Sequence, residues 1–189
     1  MTMLTQAEET LLIARANDDD SAFAELYNYY LPRVYNYVHY RVTDFHICDD
    51  LTSQIFEKLF SRLKYYQAGK AAFSAWLFSI ARNTIADYYR SQARTRCTSL
   101  EITADITNFE LDPSDIVTYN ETQQHLIKAL ASLTQRERDI IALKFWSGSS
   151  NKDIAILVGI SESNTAVILF RAMRRLRIIL ESQGMSIYG

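Results

Sequence analysis

The chain has 189 residues, 48% of them hydrophobic, and 20 Lys+Arg against 22 Asp+Glu give a formal net charge of −2. That length holds one ordinary domain or two small ones. Only 5 Gly and 2 Pro disfavour an all-β fold rich in turns, no apolar run reaches membrane-spanning length and no signal-peptide pattern is seen, so the expectation is a soluble, cytoplasmic, all-α protein.

A first helix is expected over 5–16, opened by a capping box of Thr5 and Glu8. The run Asn17-Asp18-Asp19-Asp20-Ser21 breaks it and caps the next. From 22 to 40, Phe23, Leu26, Tyr27, Tyr30, Val34, Tyr37 and Val38 keep helical spacing. Pro32 lies inside as a point of kinking or restart. Residues 43–49 read as a connector, and Asp49-Asp50 as the start of a helix to about residue 64. Leu51, Ile55, Leu59 and Leu63 form its apolar stripe; Asp50, Gln54, Glu57 and Ser61 lie opposite. On pattern alone that opposite face is simply solvated.

A short loop, Tyr65 to Lys70, leads into the stretch 73–96. Its first half is apolar on almost every side, with Phe73, Trp76, Leu77, Phe78, Ile80 and Ala81, so it must be buried. Its second half is amphipathic. Asn83, Asp87, Arg90 and Arg94 recur at steps of four, three and four and share one face. Beside them stand Tyr88 and Tyr89. Cations, an amide and aromatic rings are the parts of a nucleic-acid surface. A solvated helix end with an Asp87–Arg90 or Asp87–Arg94 ion pair fits the same spacing, and both readings stay open on the pattern.

Residues 97–120 have no sustained period and contain Pro113. Charge is uneven around them. Residues 1–96 are balanced at eleven bases and eleven acids; residues 97–127 hold six acids and no Lys or Arg; residues 128–189 hold nine bases and five acids. This reads as an acidic linker between two helical units. The second unit, 121–189, opens with Leu126, Ile127, Leu130 and Leu133, then a Thr134–Glu137 capping box for a helix ended by Gly148. Ser150 caps 151–158, Gly159-Ile160 turns, and Ser161 caps a long last helix. Short helix, glycine turn, longer helix is the helix-turn-helix outline. Arg171, Arg174, Arg175 and Arg177 add phosphate-binding charge. Cys48 and Cys97 are isolated, and His46 with Cys48 is a lone His-x-Cys, more often accidental than a metal site. No Gly-rich phosphate loop or nucleophile–base pair stands out, so no catalytic residue, metal or cofactor is expected.

Taken in order, DLTSQIF, FSAWLFSIARNTIADYYR, the acidic linker, SLTQRERDIIAL and DIAILVGIS resemble bacterial RNA polymerase sigma factors of the short extracytoplasmic-function (ECF) type of the sigma-70 family. The resemblance covers nearly the whole chain, and the F-x-x-W-L-x-x-I-A-R-N block is its specific part. It implies two helical domains, region two over 1–96 and region four over 121–189, joined by the linker 97–120. It implies that Asp50, Gln54 and Glu57 dock on the β′ clamp helices of core RNA polymerase. It implies that the stretch 65–73, with Tyr65 and Lys70, captures a flipped base of the minus-ten element, beside Asn83, Asp87, Tyr88, Arg90 and Arg94. The linker would thread toward the RNA exit path, and region four would touch the β flap and read the minus-thirty-five element. The implied partners are core polymerase, promoter DNA and an anti-sigma factor, without membrane insertion. Two other readings are a degenerate regulator that binds polymerase or an anti-sigma partner without full promoter selection, and a one-component helix-turn-helix repressor. The repressor would need an effector or dimerisation domain that the first unit does not resemble.

The chain departs from the family in the last helix. Where ECF factors carry Gly-Thr-Val-Lys-Ser-Arg, this chain has Ser163-Asn164-Thr165-Ala166-Val167-Ile168. Ser163, Asn164, Arg171 and Arg174 remain as polar DNA-facing candidates. Thr165, Leu169, Ala172 and Leu176 share one face, expected to pack on the 151–158 helix, and Val167 lies opposite. With Ile168 to its side and Phe170 on the other flank, the middle of this helix is apolar nearly all round. Of three covers, thymine methyls in a major groove, the first domain folded back or a partner protein, the expectation is a protein cover in the resting state and weak minus-thirty-five specificity in the active one.

Overall fold

The computed structural model describes residues 5–42, 44–97, 125 and 129–184. The chain divides into two units, Met1–Tyr88 and Tyr89–Gly189. Among the described residues all regular structure is helical.

The first unit begins with α1, Gln6–Arg15. The expected capping box is present: the Thr5 hydroxyl accepts from Glu8 N–H at 3.3 Å, and the Glu8 carboxylate accepts from Thr5 N–H at 2.8 Å. Those bonds from Thr5 hold the Glu8 carboxyl below its ordinary range. Asp19 caps α2, Asp20–His39, accepting from the N–H of Ser21 and Ala22. It also takes the Arg15 guanidinium at 2.7 Å, which ties the end of α1 to the start of α2. The Ser21 hydroxyl, then Arg15, push its carboxyl well below the usual carboxylate range. Helix α2 runs unbroken through Pro32, whose side chain is exposed. The kink or restart marks no helix end.

Helix α3 spans Phe45–Arg62. It starts four residues earlier than the acidic pair suggested. The reason is local: Asp44 accepts from His46 N–H at 2.8 Å and Ile47 N–H at 3.2 Å, and so satisfies the orphan donors of the first turn. The connector of the sequence reading is therefore helix, and Cys48 is a buried residue of it, its thiol pushed up by burial. His46 is exposed, and no group of ligands fit for a metal occurs among the described residues. A short 3-10 turn, Leu63–Tyr65, follows. Helix α4, Phe73–Cys97, is continuous across its apolar and amphipathic halves.

The core of the first unit is the meeting of α2, α3 and α4. Leu26, Tyr30, Val34, Tyr37 and Val38 come from α2, Leu51, Ile55 and Leu59 from α3, and Phe73, Leu77, Phe78 and Ala81 from α4; all are buried. Edge and tilted ring contacts link the helices. Tyr37 meets Phe78 at 5.2 Å, Tyr30 meets Phe73 at 5.4 Å, and Tyr27 meets Phe56 at 4.5 Å. The Tyr30 hydroxyl donates to the Glu9 carboxylate, which brings α1 onto α2. Burial, then that bond, holds the Tyr30 phenol above the ordinary tyrosine range.

In the second unit, Thr134 and Glu137 form the expected capping box of α5, Gln135–Ala142. The helix then widens into a π turn, Leu143–Ser147, and stops at Gly148 with φ +64°. Ser150 caps α6, Asn151–Val158; Gly159 turns with φ +75°; Ser161 caps α7, Glu162–Ser182. Gly159 is needed there because a left-handed residue at a helix end costs a side chain dearly. Thr165, Ala172 and Leu176 are buried as expected. Their cover differs in part. Ala172 and Leu176 cluster with Ala129, Leu133 and Ile141, with Leu169 against the cluster, so the latter half of that face packs on α5 and the segment before it. Helix α7, at about 1.5 Å per residue, is too long for the eight-residue α6 to cover.

Phe78 tests the core. Phe78→Ala removes a ring that is 0% exposed, and it should cost about 3–5 kcal/mol. Thermal unfolding followed by circular dichroism should show a large drop in the first unit's transition; an unchanged transition would contradict this packing.

Candidate nucleic-acid interface

Three exposed surfaces carry the residues singled out by the sequence. The first is on α3. Asp50, Gln54 and Glu57 are all exposed, opposite the buried Leu51, Ile55 and Leu59. The apolar stripe fixes the helix in the core, so its acidic and amide groups stand in solvent. Lys58, half-buried beside them, reaches across to α4 and donates to the Thr84 hydroxyl at 3.0 Å. Sequence reading missed this tie. Its signal was Thr84 at helical spacing from Leu77, Ile80 and Ala81, on the apolar face of α4, where a hydroxyl needs a partner.

The second surface is the loop before α4 and the outward face of α4. Tyr65 is 68% exposed, with the Lys64 ammonium 5.1 Å from its ring centre. Its neighbour Tyr66 turns the other way. The Tyr66 hydroxyl donates to the Ala71 carbonyl at 2.9 Å, and its ring lies 5.2 Å from both Phe73 and Trp76. Tyr66 thus closes the loop on itself, leaving Tyr65 and Lys70 outside. Burial, then the charge of Glu9, raises the Tyr66 phenol. The sequence reading named the loop without this bracket; the signal was the aromatic pair Phe73 and Trp76 waiting at the helix start. On α4 itself, Asn83, Asp87, Arg90 and Arg94 are all exposed, as their spacing required, and Tyr88 is half-buried. Arg94 Nε donates to the Arg90 carbonyl at 3.4 Å. The stripe presents one amide, one carboxylate and two guanidinium groups along the helix.

The third surface is on α7. Ser163 and Asn164 stand exposed in its first turn, where Asn164 N–H donates to the capping Ser161 hydroxyl at 3.2 Å. Arg171 and Arg174 are exposed and form no ion pair among the described residues. Arg175 and Arg177 are engaged within the unit, by Glu137 at 3.2 Å and Glu181 at 2.7 Å. Val167 is 44% and Phe170 69% exposed, Ala166 is exposed, and Ile168 is half-buried. Most of the linker falls outside the described residues, as do Leu126 and Ile127.

These surfaces coincide with known family blocks. The Sigma-70 region 2 model matches residues 26–95, and the Sigma-70, region 4 model matches residues 123–176. The ECF RNA polymerase sigma factor BldN of Streptomyces coelicolor is 33% identical over 88% of this chain. This chain belongs to the sigma-70 family, as an RNA polymerase sigma factor of the ECF type. It spans 63% of the length of BldN, whereas the ECF sigma factor SigX of Bacillus subtilis is 26% identical over 86% of this chain and 85% of its own length. A solved structure of the sigma factor RpoE with the anti-sigma factor NepR, from Bartonella quintana, has the same fold at a TM-score of 0.63 and 22% identity, over 84% of this chain and 96% of that one. Among the described residues of this sigma factor, no single helix is long and apolar enough to cross a membrane.

Tyr66 offers a test in alkali. Folding keeps the Tyr30 and Tyr66 phenols protonated where the unfolded chain ionises. Their contribution is complete below about pH 10 and is lost as pH rises beyond it. Tyr66→Phe should cost about 1 kcal/mol at neutral pH and make the alkaline fall in melting temperature less steep. An identical alkaline slope would place the Tyr66 hydroxyl outside this role.

Proposed function

We propose that this sigma factor binds core RNA polymerase through Asp50, Gln54 and Glu57 of α3, and melts and reads promoter DNA through the 65–73 loop and α4. The supporting observation is the form of α4: a buried apolar half continuous with an exposed Asn83–Asp87–Arg90–Arg94 stripe, entered from a loop that Tyr66 closes. A base lifted from a duplex needs an aromatic or cationic neighbour and a rigid edge to stack against. Tyr65, Lys64 and Lys70 supply the neighbours, and the Tyr66 bracket supplies rigidity. Arg90 and Arg94 suit phosphates; Asn83 suits a base edge.

On this reading residues 1–96 form the docking and minus-ten domain, 97–120 the acidic linker, and 121–189 the domain that meets the β flap and the upstream element, through Ser163, Asn164, Arg171 and Arg174. The protein acts in the cytoplasm as a dissociable, non-catalytic subunit. An anti-sigma factor holds it in the resting state, as NepR binds RpoE in the solved complex. A second reading, a regulator that binds polymerase without full promoter selection, draws support only from the uncharged Ala166-Val167-Ile168 run. Transcription by core enzyme on a promoter library separates the two: selective transcripts appear under the first and not under the second.

Two substitution sets test the assigned faces. Gln54→Ala with Glu57→Lys should weaken core polymerase binding at least several-fold while the circular dichroism spectrum and melting stay as in the parent, because neither side chain is buried. Equal affinity in a folded variant would remove α3 from the docking surface.

Arg90→Ala and Asn83→Ala should separate by salt. Losing a phosphate contact reduces the slope of log affinity against log salt by about 0.7–0.9, so Arg90→Ala should flatten it while Asn83→Ala relaxes sequence preference at unchanged slope. Open-complex formation at the parent rate in both variants would show that α4 faces away from DNA.

A further inference from the structure

Val167 and Phe170, with Ile178 farther along, are exposed apolar residues among the polar groups of the outward face of α7. Ser163, Val167, Arg171 and Arg174 recur at steps of four, four and three, so they share the face opposite the buried Thr165, Ala172 and Leu176. All four are exposed. The neighbouring cations Arg175 and Arg177 are matched to Glu137 and Glu181 of the same unit. Arg171 and Arg174 have no ion pair among the described residues, so the cations nearest Val167 keep their charge for a partner. An apolar protein surface laid on this strip would desolvate both guanidinium groups without a counter-charge. A polyanion that also displays methyl groups satisfies both features. The major groove of B-DNA is such a surface, with phosphates along its rim and thymine C5 methyls on its floor. The strip begins in the first turns of the second helix of a helix-turn-helix, the part that meets base edges.

We propose that Val167 is a specificity residue that reads a thymine methyl in the upstream promoter element, with Arg171 and Arg174 on the flanking phosphates. This rests on the promoter-binding reading above and extends it to one base. The serine of the Gly-Thr-Val-Lys-Ser-Arg run stands at this position in the family pattern. A serine hydroxyl bonds donors and acceptors alike; valine has only methyl contact to offer. One buried methyl is worth about 0.8 kcal/mol, or about fourfold in affinity. The preference is therefore graded, and the low upstream specificity expected from the sequence follows from it. A protein cover in the resting state would have to bring acidic groups to the same two arginines.

The experiment uses polymerase holoenzyme assembled with this protein and a promoter it selects from a library. Each thymine of the upstream element is replaced singly by deoxyuridine, which removes only the C5 methyl. At one position the parent holoenzyme should lose about fourfold in affinity, and Val167→Ala holoenzyme should bind thymine and uracil duplexes equally. A loss that persists in Val167→Ala, no loss at any position, or an upstream element without thymine overturns the proposal while promoter binding stands. Failure to select any promoter overturns the promoter-binding reading with it. If Val167→Lys leaves promoter affinity unaltered but changes the hydrodynamic size of the free protein, the strip is a protein interface and the proposal falls.

Discussion

Burial of the first half of α4 is the constraint on which the first unit depends. Phe73, Leu77, Phe78 and Ala81 have no solvent-facing alternative, because apolar side chains occur almost all round that segment. They enter the space between α2 and α3, where Tyr37 meets Phe78 edge-on and Tyr30 meets Phe73 at a tilt. Each buried ring of this kind contributes of the order of 2–3 kcal/mol. Once that half is fixed, the rest of α4 has one direction, and the Asn83-to-Arg94 stripe must face outward. The polar surface is thus set by an apolar contact below it.

The loop ahead of α4 inherits the same constraint. Phe73 and Trp76 form the wall against which Tyr66 packs, and the Tyr66 hydroxyl closes on Ala71. Fixing a loop in advance lowers the entropy lost when a ligand binds it. Lys58 adds a second tie, from the helix that carries Asp50, Gln54 and Glu57 to the helix that carries Asn83. The exposed faces of α3 and of α4 at Asn83 are thereby held by one packed core.

Charge acts locally in this protein. A net charge of −2 would argue against a polyanion as partner, yet exposed guanidinium groups lie on α4 and α7, and the acids concentrate elsewhere in the chain. Screening reaches about 8–10 Å in physiological salt, so the field at a phosphate depends on the nearby arginines and little on the total. On α7, Arg175 and Arg177 are paired with Glu137 and Glu181, whereas Arg171 and Arg174 form no ion pair among the described residues.

The chain's own pattern determined the elements whose signals are local. Thr5 with Glu8, Thr134 with Glu137, Ser150 and Ser161 cap the helices they announce, since a cap needs only residues three apart. The buried stripes of α2, α3 and α4, and with them the exposed candidates opposite, follow from periodicity. Other features were open to competition between equivalent signals. Asp44, Asp49 and Asp50 could each have opened α3, and the packing of Cys48 within reach of the Tyr35 carbonyl goes with the earliest start. The face of Ala172 and Leu176 was plain, but its partners Ala129, Leu133 and Ile141 were not, because periodicity says which side is covered and never by what. Tyr66 and Tyr65 are adjacent and chemically identical, so only the tertiary placement of Phe73 and Trp76 could decide which ring packs and which stays exposed. The same limit holds for Arg171 and Arg174: the sequence counts four arginines, and folding selects the two without an internal carboxylate, because an ion pair requires a partner within a few ångströms in space.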